Sequence, residues 1–181
     1  MVDITGFRAS IGNGLARANQ FRVTLKFPSI MAGYENISAL GQFHVRSASL
    51  PASTIATVPV FYQGRAINVA GEREFQPWAV TVYNENFAIR DALMTWSHRI
   101  NNLHNNTGVI TVADYQADLF VEQLDRNGKV IKTITIHHAM PVRVGEIALD
   151  FQDNNTVEMF GCEFVYNYFS DSDINPEAAR S

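Results

Sequence analysis

Within residues 58–83 apolar and polar positions alternate in two runs, Ile67-Asn68-Val69 and Trp78-Ala79-Val80-Thr81-Val82. A period of two places every second side chain on one side of an extended chain, so each run is a strand with one face to bury. Between them, residues 70–77 read as a charged connector carrying Glu72, Arg73 and Glu74. A connector that long between strands is expected to touch a partner. Half-apolar strands need a covering layer, and that demand limits the possible folds more than any other feature of the chain.

The same period recurs elsewhere. Phe21, Val23, Leu25 and Phe27 alternate with Gln20, Arg22, Thr24 and Lys26, and Pro28 closes the run. Residues 29–41, with two glycines, read as a loop. Extended structure resumes over 42–50, ends at Leu50-Pro51, and returns over 54–62. Ala117, Leu119 and Val121 alternate with Asp118 and Glu122 and lead into Asp125-Arg126-Asn127-Gly128-Lys129. Asn-Gly tolerates the positive φ of a tight hairpin, so 130–138 is the return strand. Glu146, Ala148 and Asp150 oppose Ile147, Leu149 and Phe151 in a further strand. Residues 157–169 form a last strand of roughly 40 Å. Ile89, Leu93, Trp96 and Ile100 make one apolar stripe, predicting a helix over about 86–103 started by Asn84 or Asn86. The expected fold is mainly β, a β-sandwich or partial barrel with one flanking helix. It is expected as a single domain over 1–181, with an arm at 1–19 and a loose tail at 171–181.

Charge and motifs point away from chemistry. The net charge is −4, which argues against a general nucleic-acid binder. Its distribution is uneven: residues 1–34 hold Arg8, Arg17, Arg22 and Lys26 against Asp3, whereas residues 144–181 hold eight acids against Arg180. The basic start and acidic end can attract each other within a chain or between neighbours. Cys162 is the one cysteine, so no intrachain disulfide can form. No apolar run approaches the roughly 18 residues of a membrane helix. Gly-x-Ser-x-Gly, Walker, His-Glu-x-x-His and Cys-x-x-Cys patterns are lacking. His137 and His138 are adjacent in a strand and so point to opposite faces, which prevents a shared metal. Trp78 and Trp96 read as packing anchors, and Cys162 as a small buried hydrophobe. No catalytic, metal or cofactor-binding residues are assigned. Long strands and charged connectors without a site fit self-assembly.

The wording of two blocks carries a family resemblance. Arg65-Ala66-Ile67-Asn68-Val69-Ala70-Gly71-Glu72-Arg73-Glu74-Phe75 followed by Trp78-Ala79-Val80-Thr81-Val82 is one. Val144-Gly145-Glu146-Ile147-Ala148-Leu149-Asp150, then Asp153-Asn154-Asn155 and a long strand, is the other. Together they resemble the tail tube proteins of T-even-type contractile phages, over most of residues 17–169. The resemblance implies a ring-forming subunit and a structural virion protein rather than an enzyme. Hexameric rings would stack into the inner tube of a contractile tail. Implied partners are further copies, the tail sheath protein, baseplate and tail-terminator proteins, then the tape measure protein and DNA in the lumen without sequence-specific binding. No cofactor and no membrane anchor are implied, and the site of assembly is the host cytoplasm. The alternatives are the inner tube of a bacterial contractile injection system, pyocin-like or type VI secretion-like, and a small β-barrel ligand-binding protein or enzyme.

Three surfaces follow as expectations. Gly71, Glu72, Arg73 and Glu74 should touch an adjacent ring. Phe21, Val23 and Leu25, with Phe164, Val165 and Tyr166, should close the ring by continuing a sheet, because open edges leave N–H and C=O groups unpaired. Asp118, Glu122, Glu146 and Asp150 should line the lumen, since an acidic wall repels a polyanion where lysine or arginine would hold it. The competing placement of these acids is the outer wall, against basic sheath residues.

Overall fold

The computed structural model describes residues 3–11 and 15–173. The remaining parts of the expected arm and tail, including residues 174–181, lie outside the described residues. Helix α1 (Ile4–Ser10) begins where Asp3 Oδ1 accepts the Thr5 N–H at 2.9 Å. Strands β1 (Phe21–Thr24) and β2 (Val45–Ala48) flank a 3-10 turn and helix α2 (Glu35–His44). Then come β3 (Ser53–Tyr62), β4 (Arg65–Phe75) and β5 (Trp78–Tyr83). Helices α3 (Ala88–Ile100) and α4 (Val112–Tyr115) precede β6 (Ala117–Leu124), β7 (Val130–Val144), β8 (Met159–Val165) and β9 (Tyr168–Asp171).

Seven strands form one antiparallel sheet in the order β1-β6-β7-β8-β5-β2, with β9 also on β7. Its two terminal strands, β1 and β2, come back within 8 Å of each other. The sheet is therefore curled into the partial barrel expected of this alternation. Trp78, Val80 and Val82 of β5 and Phe160, Cys162 and Phe164 of β8 all point inward. Helix α3 covers them with Ile89, Leu93 and Trp96. The Trp96 ring lies 5.7 Å from Phe27 and 6.1 Å from Phe164, and its Nε1 donates to the Tyr115 carbonyl at 2.7 Å. Aromatic side chains of this size bury about 150–250 Å² each, so this junction carries much of the core.

Several local expectations are corrected. Residues 29–41 are not a loop, since α2 occupies most of the stretch. Gly41 lies inside α2, where a Cβ would stand 3.4 Å from Leu25 Cγ, so this glycine marks close packing and not a turn. Extended structure then starts only at Val45. Helix α3 starts two residues after Asn86, and neither candidate asparagine caps it. Phe87 holds the cap position at φ 57°, while Asn84 Nδ2 donates to Glu158 at 2.7 Å. The stretch at 146–151 forms no strand. Gly145 N donates to Gly161 O at 2.7 Å, and beyond that contact the chain leaves the sheet as a loop to residue 158. The expected last strand is interrupted at Tyr166-Asn167, yet Met140 faces Val165 and His137 faces Tyr168, so the register on β7 is kept across the break. Asp171 is no loose tail. It ends β9, buried, with its carboxylate 2.5 Å from Lys132 Nζ.

Candidate assembly surfaces

The stretch at residues 58–83 departs furthest from the expected layout. Residues 65–75 are a continuous strand, and β4 pairs with β3 along its length as a separate two-stranded sheet. Gln63 (φ 45°) and Gly64 (φ 80°) make the tight turn that joins them, the two positive φ values of a type I′ hairpin. Gly71, Glu72, Arg73 and Glu74 therefore sit in β4 and not in a loop. Pairing shifts between Ile55–Arg73 and Thr57–Ala70, a bulge at Gly71, where a Cβ would stand 3.0 Å from the Ala56 carbonyl oxygen. Arg73 Nη1 donates to Ser53 Oγ at 2.7 Å across the hairpin, while Glu72 and Glu74 are exposed.

Distal to the bulge, alternation gathers Val58, Val60, Tyr62, Ile67 and Val69 on one face of the hairpin, and all five are at least half exposed. Two strands with an uncovered apolar face are marginally stable in water. The base is anchored where Phe75 packs against Tyr166 (5.7 Å) and Phe169 (5.9 Å).

The six ring-closure candidates divide. β1 is a terminal strand of the sheet, although Val23 and Leu25 are themselves buried in the core. Phe164 is paired on both sides, with Trp78 of β5 and Pro141 of β7, so β8 offers no edge there. Tyr166 is buried, and Val165 is opposite Met140. Sequence shows a strand's length but not its neighbours, which is why an interior strand passed for an edge.

The four acids also divide. Asp118 and Glu122 lie on the face of β6 opposite Leu119 and Val121, which are buried as expected. Both are engaged. Arg22 Nε donates to Glu122 Oε2 at 2.5 Å, a bond that raises the Arg22 pKa. Asp118 Oδ1 accepts the His138 N–H at 3.0 Å, and its Oδ2 stands 3.2 Å from His137 Nδ1. Glu146 and Asp150 belong instead to the loop after β7. Glu146 pairs loosely with Arg143 (3.9 Å), and Asp150 Oδ1 accepts the Gln152 N–H (2.9 Å). No common face holds all four.

One polar cluster escaped sequence reasoning. His137 Nε2 lies 2.8 Å from Ser170 Oγ, which with Asp118 on Nδ1 gives a Ser–His–Asp chain. A carboxylate only accepts, so the proton belongs on Nδ1, and Nε2 accepts from the serine hydroxyl. Ser170 is 4% exposed and His137 6%, with Tyr168 stacked on the imidazole at 4.5 Å. The serine is shut off from any substrate, and the chain ties β6, β7 and β9 together. The Asn127-Gly128 turn could have hinted at half of this, because its register brings Asp118 beside His137 and His138. Cys162 is equally inert: burial, then the charge of Glu163, pushes its thiol up to about 12.

A family model for phage tail tube proteins matches residues 16–172. The chain belongs to the phage tail tube protein family. Over 172 residues it is 33% identical to tail tube protein gp19 of Enterobacteria phage T4, covering 92% of this chain and 97% of that protein. It is 27% identical to the tail tube protein of Serratia phage KSP90, covering 92% and 95%. This tail tube subunit also shares its fold with a chain in the anti-feeding prophage baseplate structure. That match has a TM-score of 0.63 at 16% identity and covers 87% of this chain and 95% of that one. A chain of the sheath–tube complex of an extracellular contractile injection system matches with TM-score 0.60 at 13% identity, over 90% and 95%. The protein is a structural component of the virion tail and not an enzyme. No helix among the described residues is long and apolar enough to cross a membrane.

Proposed function

We propose that six copies of this subunit close into a ring, and that stacked rings form the inner tube of a contractile tail through which the genome passes into the host. The observation that carries the reading is the β3–β4 hairpin. Its apolar face of Val58, Val60, Tyr62, Ile67 and Val69 stands clear of the subunit's own core. A second copy is the cover that a self-assembling chain always has at hand. Residues 71–74 then lie in the hairpin wall that a neighbouring copy meets, and the unpaired edges of β1 and β9 remain for sheet continuation within the ring.

On this reading the face of β6 opposite the core lines the lumen. There the Arg22–Glu122 pair cancels its own charge, Thr133 lies opposite Glu122, and Phe120 lies between Thr24 and Thr135 on the same face. A face with its charges paired neither binds nor strongly repels a polyanion. Sheath, baseplate and terminator proteins are the expected partners, since the structures sharing this fold include a baseplate, a sheath–tube complex and a sheath/tube terminator, with the tape measure protein and then DNA inside. The tube of a bacterial injection device remains the second reading. Its support is fold likeness at 13–16% identity, against 33% to a phage protein.

The test is negative-stain microscopy and mass measurement of the purified chain beside the Val60→Asp/Ile67→Asp variant. Tubes from the parent chain and folded single subunits from the variant are expected. A parent chain that stays monomeric at high concentration would overturn the proposal.

A further inference from the structure

We propose that the acidic loop after β7 seats Phe151 in a groove at the opposite end of a second copy, forming the head-to-tail joint by which one ring stacks on the next. The inference rests on the tube reading and adds to it the two surfaces that meet.

The groove is an open cavity of about 640 Å³. Its apolar walls are Ile11, Leu15, Leu124 and Ile131, and two cations, Arg17 and Arg126, stand beside them. Leu15 and Ile131 are both exposed. Asp125 also borders the groove, but its Oδ1 is committed to the turn, accepting the N–H of Asn127 (2.7 Å) and of Lys129 (2.8 Å).

The complementary feature is the loop at residues 145–158. Phe151 is fully exposed, and Leu149 nearly so. Glu146, Asp150, Asp153 and Glu158 flank them along the chain, and the loop has no lysine or arginine. A large apolar side chain on an acidic loop matches an apolar groove bordered by arginines, in charge as well as in polarity.

Topology decides whose groove it is. The groove is built on the turn that precedes β7, and the loop follows β7 directly. Residues 132–144 of β7 separate Ile131 in the groove from the loop, at most about 45 Å when extended. None of the loop's residues lines the groove of its own subunit. Contacts between unlike patches form an open array when the rotation between copies does not close a ring, and patches at opposite ends of a molecule then extend it along the axis that joins them.

The full chain is compared with Phe151→Asp, Arg126→Glu and the double variant Arg126→Glu/Asp153→Lys, each checked for native circular dichroism. Single rings with loss of tubes are expected from Phe151→Asp and Arg126→Glu, and tubes should return in the double variant. Tubes of normal length from Phe151→Asp would overturn the joint while leaving the tube reading intact. Failure of the double variant to recover any tubes would overturn the Arg126–Asp153 charge match. If the parent chain forms neither rings nor tubes, the underlying reading falls instead.

Discussion

Lys132 Nζ lies 2.5 Å from the Asp171 carboxylate, fastening the last strand to the longest one. Burial alone would raise the Asp171 pKa, but hydrogen bonds from Lys132 and from the Asp173 N–H outweigh it and hold the carboxyl below its ordinary value. The hydrogen bond to Asp171 raises the Lys132 pKa. A depressed carboxylate contributes stability above its unfolded pKa and loses it as pH falls through the folded one. Attachment of β9 should therefore hold near neutrality and weaken below about pH 4. Hydrogen exchange at Phe169 and Ser170 across a pH series checks this, with Asp171→Asn expected to remove the acid dependence.

Trp96 joins α3 to the sheet through Phe164 and Phe27. Trp96→Ala should cost about 3–5 kcal/mol of unfolding free energy, measured by urea denaturation of the unassembled chain. Trp96→Phe should cost less. It keeps the ring contacts but leaves the Tyr115 carbonyl without the Nε1 donor.

Gly64 turns the hairpin at φ 80°. An L-residue in that region costs roughly 1–2 kcal/mol, and a β-branched side chain is the worst choice. Gly64→Val should splay β3 from β4 and reduce assembly, while the fluorescence of Trp78 and Trp96 stays native. Normal assembly would show that the hairpin tolerates a reshaped turn.

Cys162 should resist modification. With its thiol held protonated to about 12, a thiol reagent at pH 8 should react only as the chain unfolds. The unfolded thiol releases its proton first, so the unfolded state binds fewer protons and stability should fall as pH rises above about 9. Reaction rates that track denaturant would bear this out.

Glu122 is paired with Arg22 in the proposed lumen. Glu122→Lys replaces an ion pair by two cations and should slow DNA passage while assembly persists. Glu122→Gln should have a smaller effect. Genome-delivery kinetics with tubes of normal length is the measurement, and unaltered delivery by Glu122→Lys would move this face out of the lumen.

The alternation of Trp78, Val80 and Val82, of Leu119 and Val121, and of Phe160, Cys162 and Phe164 already determined which side of each strand is buried. The stripe from Ile89 to Trp96 likewise determined the covering helix. These are local facts, set by periods of two and 3.6 along the chain. The family wording of residues 65–82 was equally legible. Tertiary structure alone decided which strands are neighbours. Phe164 is interior because β5 returns beside it, though the two are about eighty residues apart in the chain. Residues 65–75 became a hairpin strand because β3 was free to pair with them, whereas Glu146 to Asp150, with the same alternation, found no partner beyond Gly145. Strand pairing is satisfied by whatever backbone the fold brings alongside, and alternation within one segment carries no record of it. The joining of Asp118, His137 and Ser170 has the same cause.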